Sequence, residues 1–110
     1  MERPEVSSAV LRHYDEIAAQ LAARAGVTAS SMFGMPTLKL AGKALAGLYG
    51  DAMVFKLSGA AHAEALSLRD AYLFDPSGLG RPMKAWVVVP VAHAGEWERL
   101  AELALVGLDP

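Results

Sequence analysis

The stretch "TLKLAGKALAGLYGDAMVFKL", residues 37–57, decides the expected fold because its hydrophobicity has a period of two. Leu38 and Leu40 flank Lys39, which is the pattern of a strand with one apolar face. Two short breaks, AGK and YGD, each centre on a glycine, as tight hairpin connections require. The stretch therefore predicts three strands in an antiparallel meander.

Helical patterns lie on both sides of this meander. Ser58 can cap a short helix over GAAHAEALSL, because its hydroxyl can accept from N–H groups that the first turn leaves unpaired. Before the meander, Pro4 suits the first turn of a helix and Gly26 suits its end. Apolar residues of that first helix recur at steps of three or four, and they are Val6, Val10, Tyr14, Ile17 and Leu21.

The segment after the short helix predicts a hairpin and a last helix. AYLF, residues 71–74, is read as a strand, and residues 84–89 as a central strand that is apolar on both faces. Residues 75–78, Asp-Pro-Ser-Gly, favour a tight turn between them. Pro90 ends the second strand and can open the last helix. The shared face of that helix carries Trp97, Leu100, Ala101, Ala104 and Leu108.

This order predicts the fold class: α+β, with a mostly antiparallel sheet of about five strands in the order α-β-β-β-α-β-β-α. Alternating βαβ units are absent, and 110 residues suit a single domain over residues 1–110. The expected core residues are Ile17, Leu21, Phe33, Leu38, Leu40, Phe55, Leu57, Leu66, Trp86, Val88, Trp97 and Leu100.

Composition narrows the classes of partner. Hydrophobic residues make up 54% and charged residues 20% of the chain, an apolar excess that fits a homodimer. The net charge of −2 and a pI near 5.9 give no positive field to draw the protein to nucleic acid or to a membrane. Without cysteine there is no disulfide, thiolate nucleophile or sulfur-based zinc site. We expect a soluble cytoplasmic protein without a cofactor.

The residues also resemble a family. The stretches "SMFGMPTLKLAGKALAGLYGDAMVFKL" from Ser31 and "GRPMKAWVVVP" from Gly80, with a tryptophan in the final helix, resemble the TfoX N-terminal-like proteins, the front domain of the TfoX/Sxy competence regulators. Met35-Pro36 and Lys39 are also similar to the MmcQ/YjbR-like group, which shares a similar α+β architecture. The match to the first family is carried by Met32-Phe33-Gly34, Gly42-Lys43, Phe55-Lys56 and the Arg81-Pro82-Met83 approach to Trp86.

The resemblance implies a regulatory or protein-binding domain of cytoplasmic bacterial proteins, with no catalytic residues to carry over. Complete competence regulators add a helical C-terminal domain. Since the sequence given ends at Pro110, we expect the front module alone, and a direct role in competence is not implied.

Catalytic and metal-binding patterns are weak in this chain. His13 with Glu16 and His93 with Glu96 are three residues apart on predicted helices, but each pair lacks a third metal ligand. Ser30 and Ser31 precede the first expected strand without the Gly-x-Ser-x-Gly elbow of a nucleophile. The loop GLGRP lacks the Gly-Lys-Ser/Thr ending of a phosphate loop and a following helix. We therefore do not expect an enzyme.

The lysine and arginine residues of the predicted strands and hairpins suggest the most specific alternative function. Lys39 and Lys56 alternate with large apolar residues and can share the outer face of the sheet, where lysines also serve to block edge pairing. An anion-binding face for a phosphate-bearing ligand, single-stranded nucleic acid or an acidic partner is the alternative function. Its candidate residues, all from strands or hairpins, are Lys39, Lys43, Lys56, Arg81 and Lys84. A symmetric dimer through a sheet edge or face is the other expected use of the sheet.

Overall fold

The computed structural model describes residues 7–108, and its first helix, α1 (Ser8–Ala25), is capped at both ends. The Ser7 hydroxyl accepts a hydrogen bond from the Val10 N–H at 3.2 Å. Gly26 takes the left-handed conformation, with a φ of 77°, and its N–H donates to the Ala22 carbonyl. Gly26 thus ends the helix as the sequence predicts, while Pro4 and Val6 lie outside the described residues.

Six strands form one antiparallel sheet with the spatial order β1-β2-β3-β4-β6-β5. Helix α2 (Gly59–Leu66) connects β4 to β5, and helix α3 (Ala94–Val106) follows β6 after a 3-10 turn at Val91–His93. The strands are β1 (Thr28–Met32), β2 (Met35–Leu40), β3 (Lys43–Tyr49), β4 (Ala52–Lys56), β5 (Tyr72–Phe74) and β6 (Met83–Pro90). The α+β class and antiparallel sheet are confirmed.

The sheet has six strands and not the expected five, because β1 is an additional strand. The order is therefore α-β-β-β-β-α-β-β-α. A two-residue turn joins β1 to β2, and both of its residues have positive φ, 54° at Phe33 and 74° at Gly34. Four of the five residues of β1 are exposed and the fifth is half-buried. A strand exposed on both faces needs no alternation of apolar residues, so TASSM shows no period of two.

The helices cover one face of the sheet and enclose the main core. Most of the expected core residues are buried, Trp86 and Val88 on the opposite face of the sheet and the others in this core, and these are Ile17, Leu21, Leu38, Phe55, Leu57, Trp97 and Leu100. Leu40 and Leu66 are half-buried and pack against this core. Phe33 was wrongly expected in it: the side chain is 59% exposed, because residue 33 forms the β1–β2 turn and not a strand.

A second core lies on the sheet face opposite the helices. Its buried residues all come from strands, and they are Met35, Val54, Phe74, Trp86 and Val88. The rings of Phe33 and Phe74 come within 6.4 Å, although Phe33 follows one edge strand and Phe74 ends the other. The sheet is therefore curved so that its two edges approach each other, and this concave face buries apolar side chains by itself.

Three boundary expectations need correction. Ser58 occupies the cap position of α2, but its side chain makes no capping hydrogen bond. Pro90 is the last residue of β6 and leads into the 3-10 turn, so it does not open α3 directly. Leu108 lies beyond the end of α3 and still packs against the main core.

Tyr14 places a hydroxyl in the main core, where the side chain is 4% exposed and the oxygen has no hydrogen-bond partner. Burial, and secondarily the charge of Asp15, raises the pKa of Tyr14. An unsatisfied buried hydroxyl costs about 1–3 kcal/mol. We therefore expect Tyr14→Phe to raise the free energy of unfolding by about 1 kcal/mol, measured by urea denaturation. A decrease would contradict the assignment of an unpaired hydroxyl.

Candidate functional site

The five candidate cations lie at one end of the sheet. Antiparallel pairing places the ends of β2 and β4 beside the starts of β3 and β6. Arg81 precedes β6 in the β5–β6 loop. The strand cations are near the end of β2 (Lys39), at the start of β3 (Lys43), at the end of β4 (Lys56) and near the start of β6 (Lys84). Residues from separate segments are thus brought together by the strand order.

Lys39 and Lys56 share the concave face. Lys56 is paired with Trp86 of the second core, and Lys39 with Ala44, which packs against that core. Since paired residues lie on the same face of a sheet, both lysines belong to the face away from the helices. Lys56 is exposed, whereas Lys39 is half-buried. The two lysines lie on β2 and β4 with β3 between them, so one anionic ligand that contacts both would have to cross three strands.

The Asp75 carboxylate organises the β5–β6 loop, whose backbone N–H groups are not arranged to bind a phosphate. One carboxylate oxygen accepts from the N–H groups of Ser77 and Gly78 and from the Ser77 hydroxyl, at 2.7–3.2 Å. The other accepts from the N–H groups of Gly80 and Arg81 at 2.9 and 3.1 Å. The glycine-rich loop therefore directs its backbone donors at its own side chain, as the turn interpretation of the sequence implies.

This network gives a pH dependence. The hydrogen bond from Ser77, together with those from the backbone, holds the pKa of Asp75 below its usual range. A carboxyl whose folded pKa is lowered stabilises the fold above its unfolded pKa, about 3.9, and loses that effect as pH falls through the folded value. We expect Asp75→Ala to lower the melting temperature at pH 7, and the difference from wild type to shrink below about pH 4. A difference independent of pH would contradict this role of the carboxylate.

The histidines have structural partners. The His62 Nε2–H donates to the Lys84 carbonyl at 2.8 Å, and the His93 Nε2–H donates to the Arg69 carbonyl at 2.9 Å. The His13 ring packs against Trp97, with ring centroids 5.3 Å apart. Within residues 7–108, His, Asp and Glu side chains form no group of three that could hold a metal ion.

Ion pairs join the three helices. Arg99 on α3 contacts Glu64 on α2 at 2.5 Å and Glu96 on its own helix at 2.6 Å. These hydrogen bonds raise the pKa of Arg99. Arg24 on α1 contacts Glu102 on α3, also at 2.5 Å. Glu96 is therefore engaged by Arg99, and the expected spacing of His93 and Glu96 does not bring them together as a pair.

Two surface features were missed from the sequence. The first is the exposed edge of β1, on which Ser30 and Ser31 lie within a strand and not before one. The second is a group of aromatic side chains at the concave face, where the Tyr49 and Phe74 rings are 5.3 Å apart. Tyr72 lies near Tyr49, whose proximity adds to burial in raising the pKa of Tyr72. Neither could be found by periodicity, because β1 shows no alternation of apolar and polar residues and the aromatic group depends on sheet curvature.

An open groove of about 580 Å³ runs along the outer side of α3. Its lining combines Leu103 and Val106 with the ion-paired side chains of Arg99 and Glu102. Arg99 and Glu102 are thus already engaged in ion pairs with other helical residues. No helix within the described residues is long and apolar enough to cross a bilayer.

Comparison with known proteins identifies no relative of this chain. No protein-family model, curated protein or solved structure matches the chain. The function is therefore proposed from the geometry described above, together with the resemblance of the residues.

Proposed function

We propose that the protein is a non-enzymatic regulatory or protein-interaction module of the TfoX N-terminal-like type, cytoplasmic and self-associating. The observation that supports this proposal most is that several polar side chains form hydrogen bonds or ion pairs within the protein. Asp75 accepts hydrogen bonds from the backbone of its own loop, and Arg99 on α3 contacts Glu64 on α2. His62 and His93 each form a hydrogen bond with a backbone carbonyl. The surface left for other molecules includes a strand edge and exposed apolar side chains, which suit contact with protein.

The exposed apolar residues support the same function. Leu79 is 75% exposed and Val106 is 80% exposed, at the β5–β6 loop and the end of α3 respectively. Phe33 combines exposure with a left-handed backbone that is costly for a bulky residue. The two-residue turn requires this backbone conformation at residue 33, and it presents the ring at the surface, where a partner could contact it.

Light scattering across a dilution series tests the self-association. The measured mass should rise from the monomer value of 11.6 kDa toward twice that value as concentration increases. A thermal-shift screen with divalent metals and nucleotides tests the non-enzymatic claim, because a ligand at 100 times its Kd adds about 2.7 kcal/mol of stability. A rise of several degrees with any of them would contradict the proposal.

Anion binding by the lysine end of the sheet is the second candidate, favoured by the shared face of Lys39 and Lys56. The ligand class is a phosphate-bearing molecule or single-stranded nucleic acid. The neighbouring cleft, about 100 Å³, is lined in part by Lys56, Ser58 and Ala85 and can admit only a small group.

For this candidate, the double substitution Lys39→Glu/Lys56→Glu should abolish retention on heparin. For each phosphate-contacting lysine lost, the slope of log affinity against log salt should fall by about one. The matched control is Arg12→Glu/Arg69→Glu, which makes the same change in net charge at exposed positions on α1 and after α2. Equal loss in both variants would indicate bulk charge, and unchanged retention in the lysine variant would reject the site.

A further inference from the structure

We propose that the outer edge of β1 is the self-association surface, where it pairs antiparallel with β1 of a second copy about a two-fold axis at Ser30. This inference rests on the self-associating module proposed above and names its contact surface. Strand β1 is the terminal strand of the sheet, and its residues 28–31 are all exposed. The edge is therefore open to an incoming strand along most of its length.

The β1–β2 turn determines which backbone groups face outward. A two-residue turn with both φ values positive is closed by a hydrogen-bonded pair, here Met32 with Met35. Hydrogen-bonded and non-hydrogen-bonded pairs alternate along an antiparallel ladder, so Ser31 with Pro36 is a non-hydrogen-bonded pair. The proline, which has no N–H, fits this position because it removes no bond to β1.

The same alternation continues along β1. Ser30 is bonded to β2, whereas Ala29 and Ser31 direct their N–H and C=O groups away from β2. These two residues provide two donors and two acceptors on the outer edge. Pairing Ala29 with Ser31 of a second copy, and Ser31 with Ala29, would satisfy all of them through four hydrogen bonds.

This register places Ser30 opposite Ser30 of the second copy, on the two-fold axis. The side chains of Ser30 and Thr28 are small and uncharged, so the two strands approach without burying a charge. No charged residue occurs between Arg24 and Lys39, so like charges do not oppose each other along the new ladder. An edge without charge, proline or bulge lacks the usual devices that prevent pairing, and a second copy matches it in both hydrogen bonding and charge.

The opposite edge of the sheet is less suited to this role. Strand β5 has only three residues, and its register with β6 shifts after Leu73. The loop held by Asp75 follows directly. Short length and irregular register are features that protect an edge from pairing.

A charge-swap experiment tests the pairing. Light scattering at high concentration should show a dimer for wild type, and a monomer for Ser30→Lys and for Ser30→Glu, because each places like charges opposite each other on the axis. An equimolar mixture of the two variants should recover the dimer mass. The matched control is Gln20→Lys, an exposed α1 position, which should remain dimeric. Circular dichroism confirms that each variant is folded.

A backbone variant gives an independent measurement. Ser31→Pro removes an outward N–H that β2 does not use, and proline is tolerated on an edge strand, so it should give a folded monomer. A dimeric wild type with dimeric Ser30→Lys and Ser31→Pro would overturn the β1 surface and leave self-association standing. A wild type that stays monomeric at about 1 mM would overturn self-association itself, since even weak dimers form at concentrations above their Kd.

Discussion

Replacing Trp97 with alanine should destabilise the protein by about 3–5 kcal/mol, the range for removing a buried aromatic side chain. Trp97 is 0% exposed and is among the largest fully buried side chains. Its indole N–H donates to the Val89 carbonyl at 3.1 Å, and its ring packs against His13. The substitution would therefore create a cavity and also remove the hydrogen bond from the indole to β6.

Urea denaturation followed by circular dichroism measures this effect. A loss of 3–5 kcal/mol is a large part of the 5–15 kcal/mol typical of a small domain, so the unfolding midpoint in urea should fall by a large fraction of its wild-type value. Trp97→Phe separates the two causes, since it keeps most of the apolar area and loses the hydrogen bond, at an expected cost of about 1–3 kcal/mol. Val106→Ala, on the same helix but 80% exposed, should change stability by less than about 0.5 kcal/mol. Equal effects at residues 97 and 106 would contradict the packing described.

Replacing Gly47 with alanine should destabilise the protein by about 1–3 kcal/mol, because β3 has no room for a side chain at this position. A β-carbon there would lie 2.6 Å from the Met35 Cε atom and 3.0 Å from the Pro36 carbonyl oxygen. The methionine end can move, but the backbone oxygen belongs to the neighbouring strand and can shift only with it. The cost should therefore persist after Met35 rearranges.

The unfolding midpoint in urea measures this change. Gly95→Ala is the matched control, since a β-carbon at residue 95 meets nothing within 4 Å and alanine favours a helix. Gly95→Ala should be neutral or stabilising by up to about 1 kcal/mol. If Gly47→Ala cost no stability when measured in a Met35→Ala background, the obstruction would be the methionine alone and the role assigned to Pro36 would be wrong.

The helices and most strands could be predicted from the sequence because their signals are local. The steps of three and four in α1 and the glycine after it fix a helix whatever surrounds it. Alternation at Leu38 and at Phe55 indicates strands with one apolar face, and both side chains are buried in the main core. These patterns arise from the geometry of the backbone, which repeats every 3.6 or every 2 residues.

The candidate surfaces could be predicted only in part. The lysines were identified as strand residues of one face, but which strands are neighbours, and therefore which cations share an end, follows from pairing across the whole sheet. Phe33 illustrates the reverse problem. A large aromatic residue indicates burial on average, yet the turn of β1 and β2 holds it at the surface beside Phe74.

Sequence alone determined the α+β class, the helix ends at Gly26 and the turn chemistry of Asp75, because each depends on residues close together in the chain. Tertiary structure alone decided that Thr28–Met32 is a strand, that the sheet curves to bury a second core, and which edge is left open. The physical reason is that a polar strand is stabilised by backbone hydrogen bonds to its neighbour, and such bonds leave no trace in the pattern of side chains.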